Sequence, residues 1–289
     1  MLAVVLLKKA VFLSESALRP QPVQGLLATR RPFIGAHDLA ALHHALSLRE
    51  QAAVSRVAAI TAGGSEADVI LCQAYALGAD EVFRVPWEGD AGLTDASPVG
   101  RVLAGVLAGL PAGVVFCGHL SPDSGRGLVP YVVAQSLGWP LVTRAVKVQM
   151  TPDLPHLRIH RDVGRGNREV VECPLPAVVT AVRYPSGWRY PKCARLLAFR
   201  RRNVPTLSPP SSPGMPSEKR WLADMEMTRA RPRPKKIFTP DENLSAAERM
   251  KMIVSGGLKA KKGKVVDGSG ADAASKVYEV LVECGYAPK

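Results

Sequence analysis

Cys117-Gly-His-Leu-Ser-Pro-Asp-Ser-Gly-Arg-Gly-Leu-Val-Pro-Tyr-Val-Val-Ala-Gln-Ser-Leu-Gly-Trp-Pro140 begins where the apolar run Gly113-Val-Val-Phe-Cys117 stops. It crosses small and polar residues, then takes up helical spacing with Val129, Val132, Val133 and Leu137 until Gly138 and Pro140 close the helix. The pattern predicts a buried strand, a loop and a helix. A loop that opens a helix offers unpaired backbone N–H groups and the positive end of the helix dipole, which suits an anion such as a phosphate. Glycines at 118, 125 and 127 let backbone approach a ligand closely. The same glycines also satisfy ordinary turn chemistry, and the stretch alone does not separate the two readings.

Upstream, residues 2 to 7 form a continuous apolar run ahead of Lys8 and Lys9, as expected of a first strand buried on both faces. Residues 14 to 37 read as loop, with prolines at 20, 22 and 32. Asp38 is placed to cap a helix whose Leu39, Leu42 and Leu46 share a stripe, and whose His43 and His44 are expected on the surface. Val57 to Thr61 gives a second strand. Ala62-Gly63-Gly64 then turns into a helix with Ser65 as cap and Asp68 three residues on, ending at Gly78. Glu81 to Val85 is the next strand and 97 to 109 the next helix. Strands alternating with helices imply an α/β fold: a Rossmann-like, mostly parallel sheet with helices on both faces and ligands at the carboxyl ends of its strands.

Downstream the pattern changes. Segments 143–149, 156–163, 168–173 and 177–183 are short, Val-rich or alternating, and Gly164-Arg-Gly-Asn167 reads as a hairpin connection, so a small antiparallel β annex is expected. After Arg202 comes a Pro- and Ser-rich linker, with Trp221, Leu222 and Met225 as a short anchoring segment. Ser245 with Glu248 makes a capping box before Met250 and Ile253, and Gly256-Gly257 ends that helix. A last helix is expected from Asp272 to Cys284, with Val277 and Leu281 on one face and Gly285 as its stop. The organisation expected is an α/β domain over 1–204 and, over 205–289, a linker with a C-terminal helical extension that docks on its own core or on a partner subunit.

Composition narrows the function. The 289 residues are 47% apolar but only 6% aromatic, so the core must be built mainly from Ala, Val and Leu. Five cysteines, odd in number and never in a CxxC pair, argue against a disulfide framework and a zinc site, and no metal is expected. No apolar run approaches the roughly 20 residues of a membrane span, so no transmembrane segment and a cytoplasmic location are expected. Net charge is +13, and from Arg200 onward 18 Lys/Arg stand against 10 Asp/Glu. Such a tail suits an acidic partner or surface; its basic runs lack interleaved aromatics and any recognised motif, so nucleic acid is not expected. There is no Gly-Lys-Ser/Thr P-loop either.

The order of motifs resembles the beta subunit of the electron-transfer flavoproteins, over roughly residues 2 to 204. The pieces are a first strand ending in Lys8; Asp38 opening a helix that ends Leu48-Arg-Glu50; Ala76-Leu-Gly-Ala-Asp80, much like the family's Ala-Met-Gly-Ala-Asp; the loop and helix from Asp123 to Leu137-Gly-Trp-Pro140; Leu175-Pro-Ala-Val-Val-Thr180; and Arg189-Tyr190 before a basic cluster. The resemblance implies an adenine nucleotide α-hydrolase-like domain that binds AMP or a second FAD and helps an alpha subunit hold its own FAD. It places the phosphate cradle at Asp123, Ser124, Gly125, Arg126, Gly127, Leu128 and Val129. Ala62 and Gly63 would sit at the tip of the second strand, Leu6 at the tip of the first, and Gly35, Ala36, His37 and Asp38 would close the pocket, with His37 toward the flavin. Where the family commonly has Asn-Pro-Tyr-Asp, this chain has Gly35-Ala-His-Asp38.

The segment 184–202 resembles the family's partner recognition loop, with Arg189, Tyr190, Cys193, Leu196, Arg200, Arg201 and Arg202 as its contact residues. Flavin dehydrogenases are the implied electron donors and a membrane quinone oxidoreductase an implied acceptor. No catalytic residue follows from the resemblance, because such a subunit positions a flavin and does no bond chemistry of its own. Two other readings stay open at this point: a structural or docking subunit of a larger redox complex, and an adenine-nucleotide-hydrolysing enzyme of the same fold.

Overall fold

The first strand, β1 (Leu2–Leu6), is apolar and buried at every position because the sheet is covered on both sides. Ala3 and Val5 join one core together with Leu7, and Leu2, Val4 and Leu6 join the other, so the two-residue period of a strand serves two cores at once. The structure, a computed structural model, describes residues 1–10, 32–87, 96–151, 155–182, 189–208, 244–254, 269–283 and 286. These fall into two units, Met1–Glu226 and Met227–Lys289.

In the first unit β1 is followed by β2 (Lys9–Ala10) and β3 (Phe33–Ile34), which pair antiparallel, and by α1 (Ala36–Glu50). Then come β4 (Arg56–Gly63), a 3-10 turn at Ser65–Ala67, α2 (Asp68–Leu77), β5 (Glu81–Pro86), α3 (Ala96–Ala108), β6 (Ala112–Gly118) and α4 (Val129–Leu137). Strands β7 (Leu141–Met150), β8 (His156–Gly164), β9 (Asn167–Pro174) and β10 (Ala177–Ala181) precede a short helix α5 (Cys193–Phe199). The main sheet has the order β5-β4-β1-β6-β10-β7-β8-β9. It is parallel from β5 through β7, and β8 and β9 add antiparallel at the far edge. The chain winds outward from β1 through β4 to β5, then returns to place β6 on the other side of β1. That reversal leaves a crevice between the carboxyl ends of β1 and β6.

The expected mostly parallel sheet, the antiparallel annex and the helical C-terminal segments are all present, with four differences of detail. Segment 177–183 was expected in the annex; β10 instead inserts parallel between β6 and β7, fully buried, as the nearly all-apolar Ala-Val-Val-Thr-Ala allows, with the Thr180 hydroxyl accepting the Arg144 amide at 3.0 Å. Asp38 does not cap α1: the helix starts at Ala36 after Gly35, without a side-chain cap, and the Asp38 carboxylate turns to the strand tips instead. Ser65 does not cap α2 either, because the 3-10 turn intervenes and Asp68 pairs with Arg84 at 2.9 Å. His44 is buried, not on the surface; it lies against Phe116, and burial first, with His43 beside it, lowers its pKa to about 4.

Glycine ends both helices as expected: Gly78 follows α2, and Gly138 follows α4 in the left-handed conformation. Gly100 brings α3 and α4 together, since a side chain there would collide with Val132. The expected hairpin at 164–167 forms with Arg165 and Gly166 both at positive φ, 54° and 80°, the geometry of a type I′ turn.

In the second unit, α6 (Ala246–Val254) carries the capping box: the Ser245 hydroxyl bonds Glu248 at 2.6 Å, and Glu248 accepts from the Ser245 amide at 3.1 Å. Helix α7 (Gly270–Glu283) has a second box, Ser269 with Asp272, so it begins two residues earlier than expected. Expectations for residues 14–31, for the Pro-rich linker over 209–243 with Trp221, Leu222 and Met225, and for Gly256, Gly257, Cys284 and Gly285 lie outside the described residues.

Candidate functional site

Asp38 joins the two lips of the crevice. One carboxylate oxygen accepts the Lys8 amide at 3.0 Å from the end of β1, and the other accepts the Gly118 amide at 3.0 Å from the end of β6. Gly118 has to lack a side chain, because a Cβ there would overlap the carboxylate. Burial raises the Asp38 pKa to about 7; the two amide bonds and the Lys8 charge pull it back only partly, and Asp123 adds to the rise. The same burial, with Asp38 nearby, pushes the Cys117 thiol far up, so Cys117 stays protonated in the floor.

Above this floor the loop 121–128 is built by local bonds. The Gly125 amide donates to the Ser121 carbonyl at 3.0 Å, the Ser121 and Ser124 hydroxyls lie 2.8 Å apart, and the Ser124 amide donates to Asp123 at 2.6 Å. The Lys8 ammonium reaches across from β1 to Asp123 at 2.6 Å, Ser124 at 3.1 Å and Ser121 at 3.4 Å. Burial would raise the Asp123 pKa, but the Lys8 bond and charge, with the Ser124 amide, outweigh it and hold the carboxyl below its usual range. Gly127 turns the chain into α4 at φ 58°, packed so closely on the His119 carbonyl that a Cβ has no room.

Together these parts enclose a cavity of about 110 Å³. Its lining combines apolar Leu6, Val99, Leu103 and Leu128 with polar Lys8, Ser121, Ser124 and Arg126. Among the residues singled out from sequence, Leu6, Asp38, Ala62, Ser124, Arg126, Gly127, Leu128 and Val129 line it. The others stand around it. Gly35 packs on Pro122 at the start of α1, which Ala36 opens; Asp123 stands behind Lys8; Gly125 faces open space; and Gly63 ends β4 against Ala67. Gly118, expected to let backbone approach a ligand, also lines the cavity, whereas sequence reasoning did not name Lys8, Cys117 or Ser121 as lining residues. For Lys8 a signal existed: a cation as the first polar residue after a doubly buried strand stands at that strand's carboxyl tip.

His37 and His119 sit side by side on the rim, ring centroids 6.2 Å apart and planes within 10° of parallel. The Leu120 amide donates to His37 Nδ1 at 3.1 Å, and the His119 amide donates to the Ala181 carbonyl at 2.9 Å. Burial, then Arg144 and His37, lower the His119 pKa below the usual imidazole value.

The proposed recognition segment is described from residue 189. Arg189 grips Glu50 with two bonds, 2.6 and 2.8 Å, and so belongs to the surface of α1. Helix α5 packs on α2 through Phe199 against Tyr75, with Arg195 over the Tyr75 ring at 4.0 Å and bonded to the Tyr75 carbonyl. Tyr190, Cys193 and Leu197 are exposed, and so are Arg200, Arg201 and Arg202. Leu196 is half-buried; its neighbour Leu197 carries the outward apolar surface.

An anion-ready cavity at the switch point is the arrangement by which doubly wound α/β domains seat their ligands. Comparison with known proteins makes the class specific. A family model described as the electron transfer flavoprotein domain matches residues 27–184, more than half of the chain. The chain therefore belongs to the electron transfer flavoprotein family. Similar curated proteins include electron transfer flavoprotein beta subunits of Thermoanaerobacterium thermosaccharolyticum, 29% identical over 61% of this chain and 66% of the relative, and of Bacillus subtilis, 26% identical over 61% and 66%. The beta subunit of Methylophilus methylotrophus is 31% identical over 48% of this chain and 53% of its own length. The chain spans about two thirds of the length of the first two of these relatives.

Proposed function

We propose that the chain acts as the beta subunit of a heterodimeric electron transfer flavoprotein, with its switch-point cavity seating an adenine nucleotide. The observation that carries this reading is a cavity of mixed apolar and cationic lining in a chain of this family. A flat base suits the apolar Leu6, Val99, Leu103 and Leu128, and a phosphoryl group suits the two cations and two hydroxyls beside the glycine loop. The occupant proposed is AMP or a second FAD. The family's shared FAD would be held together with an alpha subunit, and toward it the chain offers the paired imidazoles of His37 and His119 on the rim.

A bound flavin supplies reversible one- and two-electron chemistry. The chain's own contribution is to bind, orient and exclude water, with no independent catalysis. Electrons would come from flavin dehydrogenases docking on segment 184–202 through Arg189, Tyr190, Cys193, Leu196 and the arginines at 200–202, and would pass to an acceptor such as a membrane quinone oxidoreductase. The nucleotide domain is taken as 1–204 together with residues 205–207 along β5, and the rest to 289 as an extension that docks on the partner subunit. Among the described residues no helix is long and apolar enough to cross a membrane, and a cytoplasmic location is proposed.

The test is the nucleotide content of the chain co-purified with its alpha subunit. Denaturing that complex is expected to release FAD together with AMP, or two FAD per heterodimer. A colourless preparation that releases neither nucleotide and cannot be loaded with flavin would overturn the proposal, as would steady ATP turnover by the chain alone.

A further inference from the structure

We propose that Lys8 is the residue that decides whether this cavity accepts an anion, acting both as a phosphate-recognising cation and as the tether that positions loop 121–127. The inference rests on the reading of the cavity as a seat for a phosphorylated nucleotide and names the group within it that makes such a seat possible.

Lys8 belongs to both sides of the crevice. Its main-chain amide is held by Asp38 in the floor, and its ammonium is held by Asp123, Ser124 and Ser121 in the loop. Its ammonium thus ties the β1 lip to a loop 115 residues away along the chain, while its amide ties the same lip to α1. The contact is not a loose surface pair. The two side chains are 26% and 16% exposed, so the pair is screened far less than an exposed one.

The charge balance makes the residue decisive. Lys8 and Arg126 are the cations that line the cavity, and Asp38 and Asp123 are the carboxylates in or beside it. With Lys8 present, Asp123 is compensated. Without it, a partly buried carboxylate stands next to the place an anion would enter, so the loss is one attractive contact plus one new repulsion. A residue that merely braced the loop would show no such dependence on the charge of Asp123. Three donors on one ammonium also allow Lys8 to keep a hydroxyl partner while it engages a phosphoryl oxygen.

The experiment is AMP titration by calorimetry on the full-length chain and on Lys8→Met, Lys8→Arg and the double variant Lys8→Met with Asp123→Asn, with circular dichroism melts confirming that each is folded. Lys8→Met is expected to weaken AMP binding at least 30-fold, Lys8→Arg less than 5-fold, and the double variant to recover a tenfold part of the loss. Unchanged AMP affinity in folded Lys8→Met overturns the role given to Lys8 and leaves the nucleotide reading standing. No recovery in the double variant overturns the charge argument. If the unaltered chain binds no AMP and releases no nucleotide, the reading of the cavity falls, and this inference with it. Should Lys8→Met not fold, Lys8→Arg and Asp123→Asn decide: under the proposal Asp123→Asn binds AMP at least as tightly as the unaltered chain, and weaker binding counts against it.

Discussion

Replacing Gly127 with alanine is expected to weaken nucleotide binding severely while leaving the sheet folded. Two costs add at this position. The residue sits at φ 58°, where a side chain costs about 1 kcal/mol, and a Cβ would collide with the His119 carbonyl, a backbone atom just beyond the end of β6. Because His119 is anchored by its amide to Ala181, the carbonyl cannot step aside cheaply, and the strain moves the loop. A total of about 2–4 kcal/mol, if taken up by the loop, corresponds to roughly 30- to 1,000-fold in affinity. Gly125→Ala is the control. Gly125 has a similar φ of 64°, yet nothing lies within 4 Å of its Cβ position, so only the backbone cost of about 1 kcal/mol applies. Calorimetric AMP affinities that fall equally in the two variants would show that collision with His119 is not what shapes the cradle.

Asp38 carries the second large effect, and it appears as a dependence of stability on pH. The folded pKa is raised to about 7 from an ordinary 3.8, chiefly by burial. Between these values the folded protein keeps a proton that the unfolded chain has released. The contribution of Asp38 is therefore fully present at pH 4 and below, and is lost as pH rises toward 7; above that it is flat. About three units correspond to about 4 kcal/mol. Urea unfolding of the unaltered chain and of Asp38→Asn across pH 4 to 8 should show the stability difference between them drifting by a few kcal/mol over pH 4 to 7, in the sense that the unaltered chain loses ground as pH rises. A difference that stays level over that range would mean that the carboxyl is not buried as described. Asp38→Ala should in addition speed hydrogen exchange at the Lys8 and Gly118 amides, since both lose their acceptor.

The history of Asp38 shows where sequence reasoning works and where it stops. An acidic residue just ahead of an apolar helix has the local pattern of a cap, and nothing within a few residues distinguishes it from a tertiary clasp. What decides is the position of two amides, 30 and 80 residues away along the chain. For Lys8 the place at the strand tip had a local sign, but its bond to Asp123, 115 residues distant, had none. By contrast the strand, loop and helix of 112–137 were legible almost to the residue, because apolar period, glycine and proline act locally. The insertion of β10 into the parallel core had a readable sign in its nearly all-apolar run, and His44 had one too: it falls three residues after Ala41 and four before Leu48, on the buried face of α1. The cavity's outline could be read in part. Its floor could not, since it is made where β1 meets β6, and that adjacency is a property of sheet order.

One small feature beyond α5 bears on how the edge of the α/β sheet is closed. Arg84 in β5 donates its amide to the Pro205 carbonyl at 3.0 Å and receives the Leu207 amide at 2.9 Å, with Thr206 bridging to it in parallel. These residues occupy hydrogen-bonding groups at one margin of the sheet that would otherwise be open to a foreign strand. The opposite margin, β9, is defended in another way, by rungs of opposite charge between Arg158 and Glu172 and between Arg161 and Glu169. Any excised version of the α/β unit therefore has to retain residues 205–207, because they serve as a selvedge that keeps one sheet from being stitched to the next.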